Sequence, residues 1–146
     1  MLPQSRSGLL EIIRFCTLAK AIISEHAIQS ACFQWVHFKA NSDDRYKMIY
    51  AVPNGGHRFI SVARKLKKEG VKAGVFDVMV DVPMRGFHGM RLEFKTEKGK
   101  LTAEQKNMQA LYSKFGYVTS IIRNFNQFRS VVEAYFDVPK NRSSPS

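Results

Sequence analysis

The chain is 146 residues long, enough for one domain that buries most of its surface without disulfides or a structural metal. With 45% apolar and 24% charged residues, its composition is that of a globular protein and excludes a disordered or fibrous one. Lys and Arg number 23 against 12 Asp and Glu, and the formal net charge of +11 favours a polyanionic partner, nucleic acid ahead of an anionic membrane surface.

Residues 9–23 set apolar side chains in pairs (Leu9, Leu10, Ile12, Ile13, Phe15, Cys16, Leu18, Ala19), which predicts a helix with a wide apolar face. That face either meets a second subunit or docks on the core of its own domain. Glu11, Arg14, Thr17 and Lys20 interrupt the run, leaving no apolar stretch long enough for a signal peptide or a membrane span. A soluble, cytoplasmic protein with no membrane partner is expected. Cys16 and Cys32 show no C-x-x-C pairing and no His at finger spacing, which argues against a structural zinc site and fits a reducing interior.

A second helix is predicted from Ser24, a suitable N-cap, to about Phe38, with the apolar stripe Ala27, Ile28, Ala31, Cys32, Trp35 and Val36. Glu25 falls on the line of Ile28, Cys32 and Val36. A carboxylate there either turns inward to a partner or serves the helix dipole from the first turn. Lys47 to Val52 reads as a strand, ended by the turn signal Pro53-Asn54-Gly55-Gly56. A short helix follows, with Phe59, Val62, Ala63 and Leu66 on one face. Arg58, Arg64, Lys65, Lys67, Lys68 and Lys72 surround it against a single acid, Glu69, and form a solvated basic surface.

Gly70 and Gly74 bracket a loop before the strand Asp77 to Val82. Pro83 to Gly89 is a turn, and Met90 to Thr96 returns as a strand. Thr102 to Gln105 has the form of a capping box, opening a helix to about Phe115 that Gly116 closes. Tyr117 to Ile122 is a largely apolar strand suited to a covered sheet. Phe128, Val131, Val132 and Tyr135 mark a last amphipathic helix. This order predicts an α/β layered domain around a mixed sheet: a helical extension over 1–23, one domain over 24–136 and a disordered tail over 137–146.

The two strands after Gly74 carry the chemistry. Asp77 opens one, and Glu93-Phe94-Lys95 lies in the next, where strand alternation puts Glu93 and Lys95 on one face and Phe94 on the other. A hairpin-like return brings Asp77 beside Glu93. Two converging carboxylates repel unless a cation joins them, and hard oxygen ligands with room for water suit Mg²⁺ or Mn²⁺. Lys95 adds a fixed positive charge. On a basic protein this combination matches what phosphodiester hydrolysis requires, although an Asp, a Glu and a Lys taken alone equally describe a solvated face.

The segment GVKAGVFDVMVDVP…GMRLEFKTEKGKLTAEQKNMQALYSKFGY resembles the VRR-NUC domain, a branch of the PD-(D/E)XK nuclease superfamily. The upstream VPNGGHR matches that family's Asn-Gly-Gly turn, and the resemblance runs over roughly residues 24–136. It implies a restriction-endonuclease-like core, a central mixed β-sheet flanked by helices. It also implies roles. Asp77 and Glu93 match the metal-binding acids, the Phe94 carbonyl a third ligand, and Lys95 the catalytic lysine. Glu25 matches a helical acid that reaches the metal directly or through water. Gln105 matches a glutamine that helps position the site, a role compatible with its place in the capping box. Asn54, Gly55 and Gly56 match a loop near the site, where glycine allows close backbone approach to DNA. One departure is Phe76, where the family carries proline; altered local rigidity is expected there, with the site retained.

Stand-alone members of this family are typical of bacteria and their viruses and look like dimeric, structure-selective endonucleases related to Holliday-junction resolvases. The resemblance therefore implies a homodimer that cuts branched DNA with Mg²⁺ or Mn²⁺ and leaves 5′-phosphate ends. Arg58, Arg64, Lys65, Lys67, Lys68 and Lys72 would contact phosphates, and the residues 9–23 would supply the dimer contact. A nicking, flap-cutting or restriction-like nuclease acting on another DNA form and a DNA-binding protein without catalysis are the alternatives.

Overall fold

The computed structural model describes residues 23–53 and 60–137. The helix expected over 9–23 (apart from Ile23), the Asn54-Gly55-Gly56 turn with Arg58 and Phe59, and the tail from residue 138 lie outside the described residues.

Helix α1 (Glu25–Lys39) begins where the sequence places a cap: the Ser24 hydroxyl accepts from Ala27 N at 3.1 Å. Ile28, Cys32 and Val36 are its buried residues. Ala27 and Ala31 are exposed and Trp35 is half-buried, so the apolar stripe is narrower than expected. Trp35 lies at the margin of the core, edge-on to Tyr46, Phe125 and Phe128.

The strand expected from Lys47 is shorter than the sequence suggests. Asp43 caps a 3₁₀ turn, Asp44–Met48, by accepting from Arg45 N at 3.0 Å, and its carboxylate also holds the Arg45 guanidinium. Only Ile49–Ala51 (β1) remains extended. Helix α2 (Ile60–Lys68) follows, then strands β2 (Val78–Val80) and β3 (Gly89–Phe94). Helix α3 (Ala103–Lys114), strand β4 (Tyr117–Ile122) and helix α4 (Phe125–Phe136) complete the domain. The strand expected over 77–82 thus loses residues at both ends, and the one expected over 90–96 starts a residue earlier, at Gly89, and stops at Phe94.

The sheet order is β1-β2-β3-β4, with the β1–β2 and β2–β3 pairs antiparallel and the β3–β4 pair parallel. Parallel strands need a crossover, and α3 supplies it. The β2–β3 return tightens at Met84–Phe87, where Phe87 N donates to Met84 O at 2.8 Å. Arg85 and Gly86 between them have φ of 53° and 81°, the paired positive φ of a type I′ turn.

Register divides the sheet into two faces. Val78, Val80, Met90, Leu92 and Phe94 face one way and form the core with Ile28, Cys32 and Val36 of α1 and Phe128 and Val132 of α4. Arg91 and Glu93 face the other way, toward α3. All six residues of β3 are buried, so the face opposite the core is covered as well. Helix α2 differs: none of its residues is buried, and of the expected face Val62 and Ala63 are exposed and only Leu66 is half-buried. Among the described residues no helix is long and apolar enough to cross a membrane.

Candidate active site

Strand register assembles the site. Val78 pairs with Leu92, and one residue further along the same antiparallel ladder Asp77 stands opposite Glu93. Phe94 N donates to Asp77 Oδ2 at 2.8 Å, fixing the aspartate against β3. Lys95 Nζ donates to Glu93 Oε1 at 2.7 Å, an ion pair whose side chains are only 12% and 2% exposed. Gln105 Nε2, from the first turn of α3, donates to the same Glu93 oxygen.

Gln105 both closes the capping box and reaches Glu93. Its backbone N donates to Thr102 Oγ1 at 3.2 Å and its Oε1 accepts from Thr102 N at 2.9 Å, closing the capping box. The amide nitrogen left over is the one that reaches Glu93. The cap therefore sets the position of the side chain that reaches Glu93.

Burial and charge compete over the two acids. Burial pushes the Asp77 carboxyl above its ordinary range, against the Phe94 N–H and the Lys95 charge, which favour the ionised form, while Glu25 adds to the rise. Burial also raises Glu93, opposed by the Lys95 hydrogen bond and reinforced by the Asp77 charge. Glu93 Oε2 is buried without a hydrogen-bond partner among the described residues. A buried carboxylate oxygen left this way is costly unless a cation meets it.

Glu25 does turn inward, and its Oε1 accepts from Thr96 N at 3.2 Å. It stands beside the pair rather than gathered with it: among the described residues no three or more His, Cys, Asp or Glu side chains form a group able to hold a metal ion. Phe76, at the proline position of the resembled family, is fully buried with its ring edge-on to Tyr112 of α3. Two residues earlier, Gly74 has φ of 80°, and a Cβ there would overlap the Glu104 carbonyl and lie 2.9 Å from Gln105 N. The segment leading into Asp77 is thus keyed to the turn of α3 that carries Gln105. Ring packing fixes it where proline would have stiffened the backbone.

Arg64, Lys65, Lys67 and Lys68 lie exposed on α2, with Lys72 exposed just beyond it. Asn54, Gly55, Gly56 and Arg58 lie outside the described residues. Two residues escaped the sequence reading. Arg91 is buried behind the site, paired with Asp81 at 2.7 Å and stacked 4.2 Å from the Tyr117 ring centre. Arg123, after β4, donates to the carbonyl oxygens of Thr96 and Glu97 just past Lys95. Neither carries a local motif; an arginine between a strand and a helix reads as a surface charge until the loop it grips is in place.

No protein-family model and no curated protein sequence matches the chain. Among solved structures, a VRR_NUC domain protein matches it with a TM-score of 0.65 and 26% sequence identity, over 77% of this chain and 87% of that one. A mixed four-stranded sheet flanked by helices is consistent with the VRR-NUC nuclease fold, and the likeness to that solved protein supports a VRR-NUC domain in this chain.

Proposed function

We propose that the chain is a metal-dependent endonuclease that hydrolyses DNA phosphodiesters, with Asp77, Glu93 and Lys95 as its core. The observation that carries this reading is the buried Glu93: one oxygen is held by Lys95 and Gln105, and the other, on the side of Asp77, has no hydrogen-bond partner among the described residues. The similarity to a VRR_NUC domain protein points the same way.

These residues fit a hard divalent cation. Asp77, Glu93 Oε2 and the Phe94 carbonyl would hold Mg²⁺ or Mn²⁺ with water completing the shell, the open arrangement such ions accept; Glu25 would reach it through water. The ion would supply charge stabilisation at the phosphate and a more acidic water. The chain's own residues do the rest. Lys95 keeps a positive charge where negative charge develops on the phosphate, in a covered site where that charge counts for more than in water. Gln105 and Lys95 hold Glu93 Oε1 and so fix which oxygen remains free. Phe94 N–H fixes Asp77. Hydrolysis then breaks the P–O3′ bond and leaves a 5′-phosphate.

Branched DNA such as a Holliday junction is the substrate we favour, cut by a homodimer. One domain carries one such site, and a symmetric cut across a junction needs two. The exposed cations of α2 suit contact with phosphates, hence recognition by shape. The test is cleavage of a panel of branched, nicked and linear DNAs with Mg²⁺ or Mn²⁺, beside the mass in solution. Metal-dependent cutting that Glu93→Ala abolishes is expected, with DNA binding retained. Binding without any cutting would overturn the enzyme reading, and equal cutting of all forms would overturn the junction preference.

A further inference from the structure

We propose that Arg123 is a positioning residue for Lys95, acting through the turn at Thr96–Gly99. The inference rests on the nuclease reading for its consequence and on the loop geometry for its substance.

Lys95 sits at a place where the sheet gives out. Its N–H donates to Ile122 O at 2.9 Å, but β3 ends at Phe94 and among the described residues no further strand pairing holds the chain. The next residues fold back on Lys95 instead. Gly99 N donates to Thr96 O at 3.0 Å, and a Cβ at Gly99 would stand 3.3 Å from both Cβ and Cδ of Lys95. The glycine backbone therefore lies against the lysine stem and restricts where its ammonium can go.

Arg123 holds this turn in place. Its guanidinium donates to Thr96 O and to Glu97 O, the latter at 3.0 Å, while Glu25 takes the Thr96 N–H from the other side. Thr96 is thus gripped on its N–H by an acid from α1 and on its carbonyl by a base from the β4–α4 junction. Arg123 is itself anchored: its N–H donates to Gln127 Oε1 at 2.9 Å, and Gln127 Nε2 donates to Ile121 O at 2.9 Å. Among the described residues no carboxylate pairs with the Arg123 guanidinium, and its hydrogen bonds there go to the turn. A flexible lysine stem reaches a buried carboxylate in one geometry only if the backbone beneath it is fixed, and a misplacement of about 1 Å can cost on the order of 100-fold in rate.

Arg123→Ala, Arg123→Lys and Gly99→Ala, measured with the full chain, test this. Arg123→Ala is expected to lower kcat about 10- to 100-fold with KM nearly unchanged. Arg123→Lys should recover part of the loss, since one ammonium can still reach a carbonyl. Gly99→Ala presses on the Lys95 stem from the other side and should reproduce the kcat loss without touching Arg123. Amide hydrogen exchange at Thr96 and Gly99 gives a readout that needs no activity and should speed about tenfold or more in Arg123→Ala. Unchanged exchange overturns the clamp whatever the activity. A raised KM with kcat intact and a flatter salt dependence would make Arg123 a phosphate contact, and overturn the proposal. If the unaltered protein cut no DNA, the nuclease reading would fall, and the exchange rates would still decide the clamp.

Discussion

The seam between β2 and β3 and the helix α2 handle charge in opposite ways. At the seam, Glu93 is 1% exposed and nearly every polar atom has an assigned partner: Lys95 and Gln105 on one oxygen, Phe94 N on Asp77. On α2, Arg64, Lys65, Lys67 and Lys68 stand in solvent, and an ion pair there, Lys65 to Glu69, is long at 3.9 Å. The difference is physical. A buried charge without a partner is heavily penalised, so its position is specified by its surroundings, whereas a solvated charge tolerates many positions. Reaction chemistry needs the first arrangement, and shape-based contact with a polyanion needs only the second.

The sharpest way to break this contrast is to remove the seam's cation. Lys95→Ala should reduce cleavage about 100- to 1,000-fold, the scale of losing one preorganised electrostatic contact at a reacting phosphate. It also leaves Glu93 buried with one fewer partner, so a lower thermal midpoint is expected beside the lost rate. Single-turnover cleavage at saturating DNA checks the first, and a melt checks the second. Retained cleavage would place the chemistry elsewhere.

Next in size is a change that never touches the acids. Gly74→Ala adds a Cβ against the Glu104 and Gln105 backbone at a φ of 80°, where alanine is strained. A loss of about 1–3 kcal/mol in a denaturant titration is expected, together with slower cleavage, because the turn bearing Gln105 has to move. A tolerated Gly74→Ala would mean that the approach to Asp77 is not keyed to α3.

The seam and the helix also differ in how much of each the sequence reveals. Strand alternation is enough to put Glu93 and Lys95 on one side of β3 and Phe94 on the other, and the capping box at Thr102–Gln105 is local by nature. Tyr117–Ile122 is bounded by Gly116 and by the Asn124 cap, so its limits are legible. The rest depends on residues far apart in the chain. Thr96 meets Arg123 only after β4 returns beside β3, and Phe76 meets Tyr112 only once the crossover helix is laid on the sheet. The basic character of α2 is equally plain from composition, but not its lack of burial. Amphipathic spacing at Val62, Ala63 and Leu66 promises a docked face that the described domain leaves mostly exposed.

A smaller effect separates function from stability at the seam. Burial raises the Asp77 carboxyl, so its favourable contribution is complete only below the ordinary carboxyl range and is lost as pH rises through the raised value. At neutral pH the ionised aspartate therefore costs stability. Asp77→Asn keeps an acceptor for Phe94 N–H and removes the charge that also raises Glu93. In chelator, the variant should melt higher than the parent at neutral pH, and the gap should close as pH falls below the ordinary aspartate range. Cleavage should be lost throughout. An Asp77→Asn variant less stable than the parent at neutral pH would mean that the aspartate is well satisfied by its neighbours, leaving it little need of a cation.

The smallest expected effect belongs to α2, where solvated charges act in sum. Lys67→Ala or Lys68→Ala should leave folding and kcat alone, since no residue of this helix is buried. If each lysine neutralises one phosphate, removing it reduces the slope of log K against log salt by about 0.9 and weakens binding equally on every sequence. The same slope change with branched and linear duplex would mean that α2 grips DNA without selecting its form, leaving selection to the arrangement of two sites. A change confined to branched DNA would instead put shape recognition on this helix. No change with either would leave α2 a basic surface that does not touch the substrate, and its exposed Ile60, Val62 and cations would need another partner.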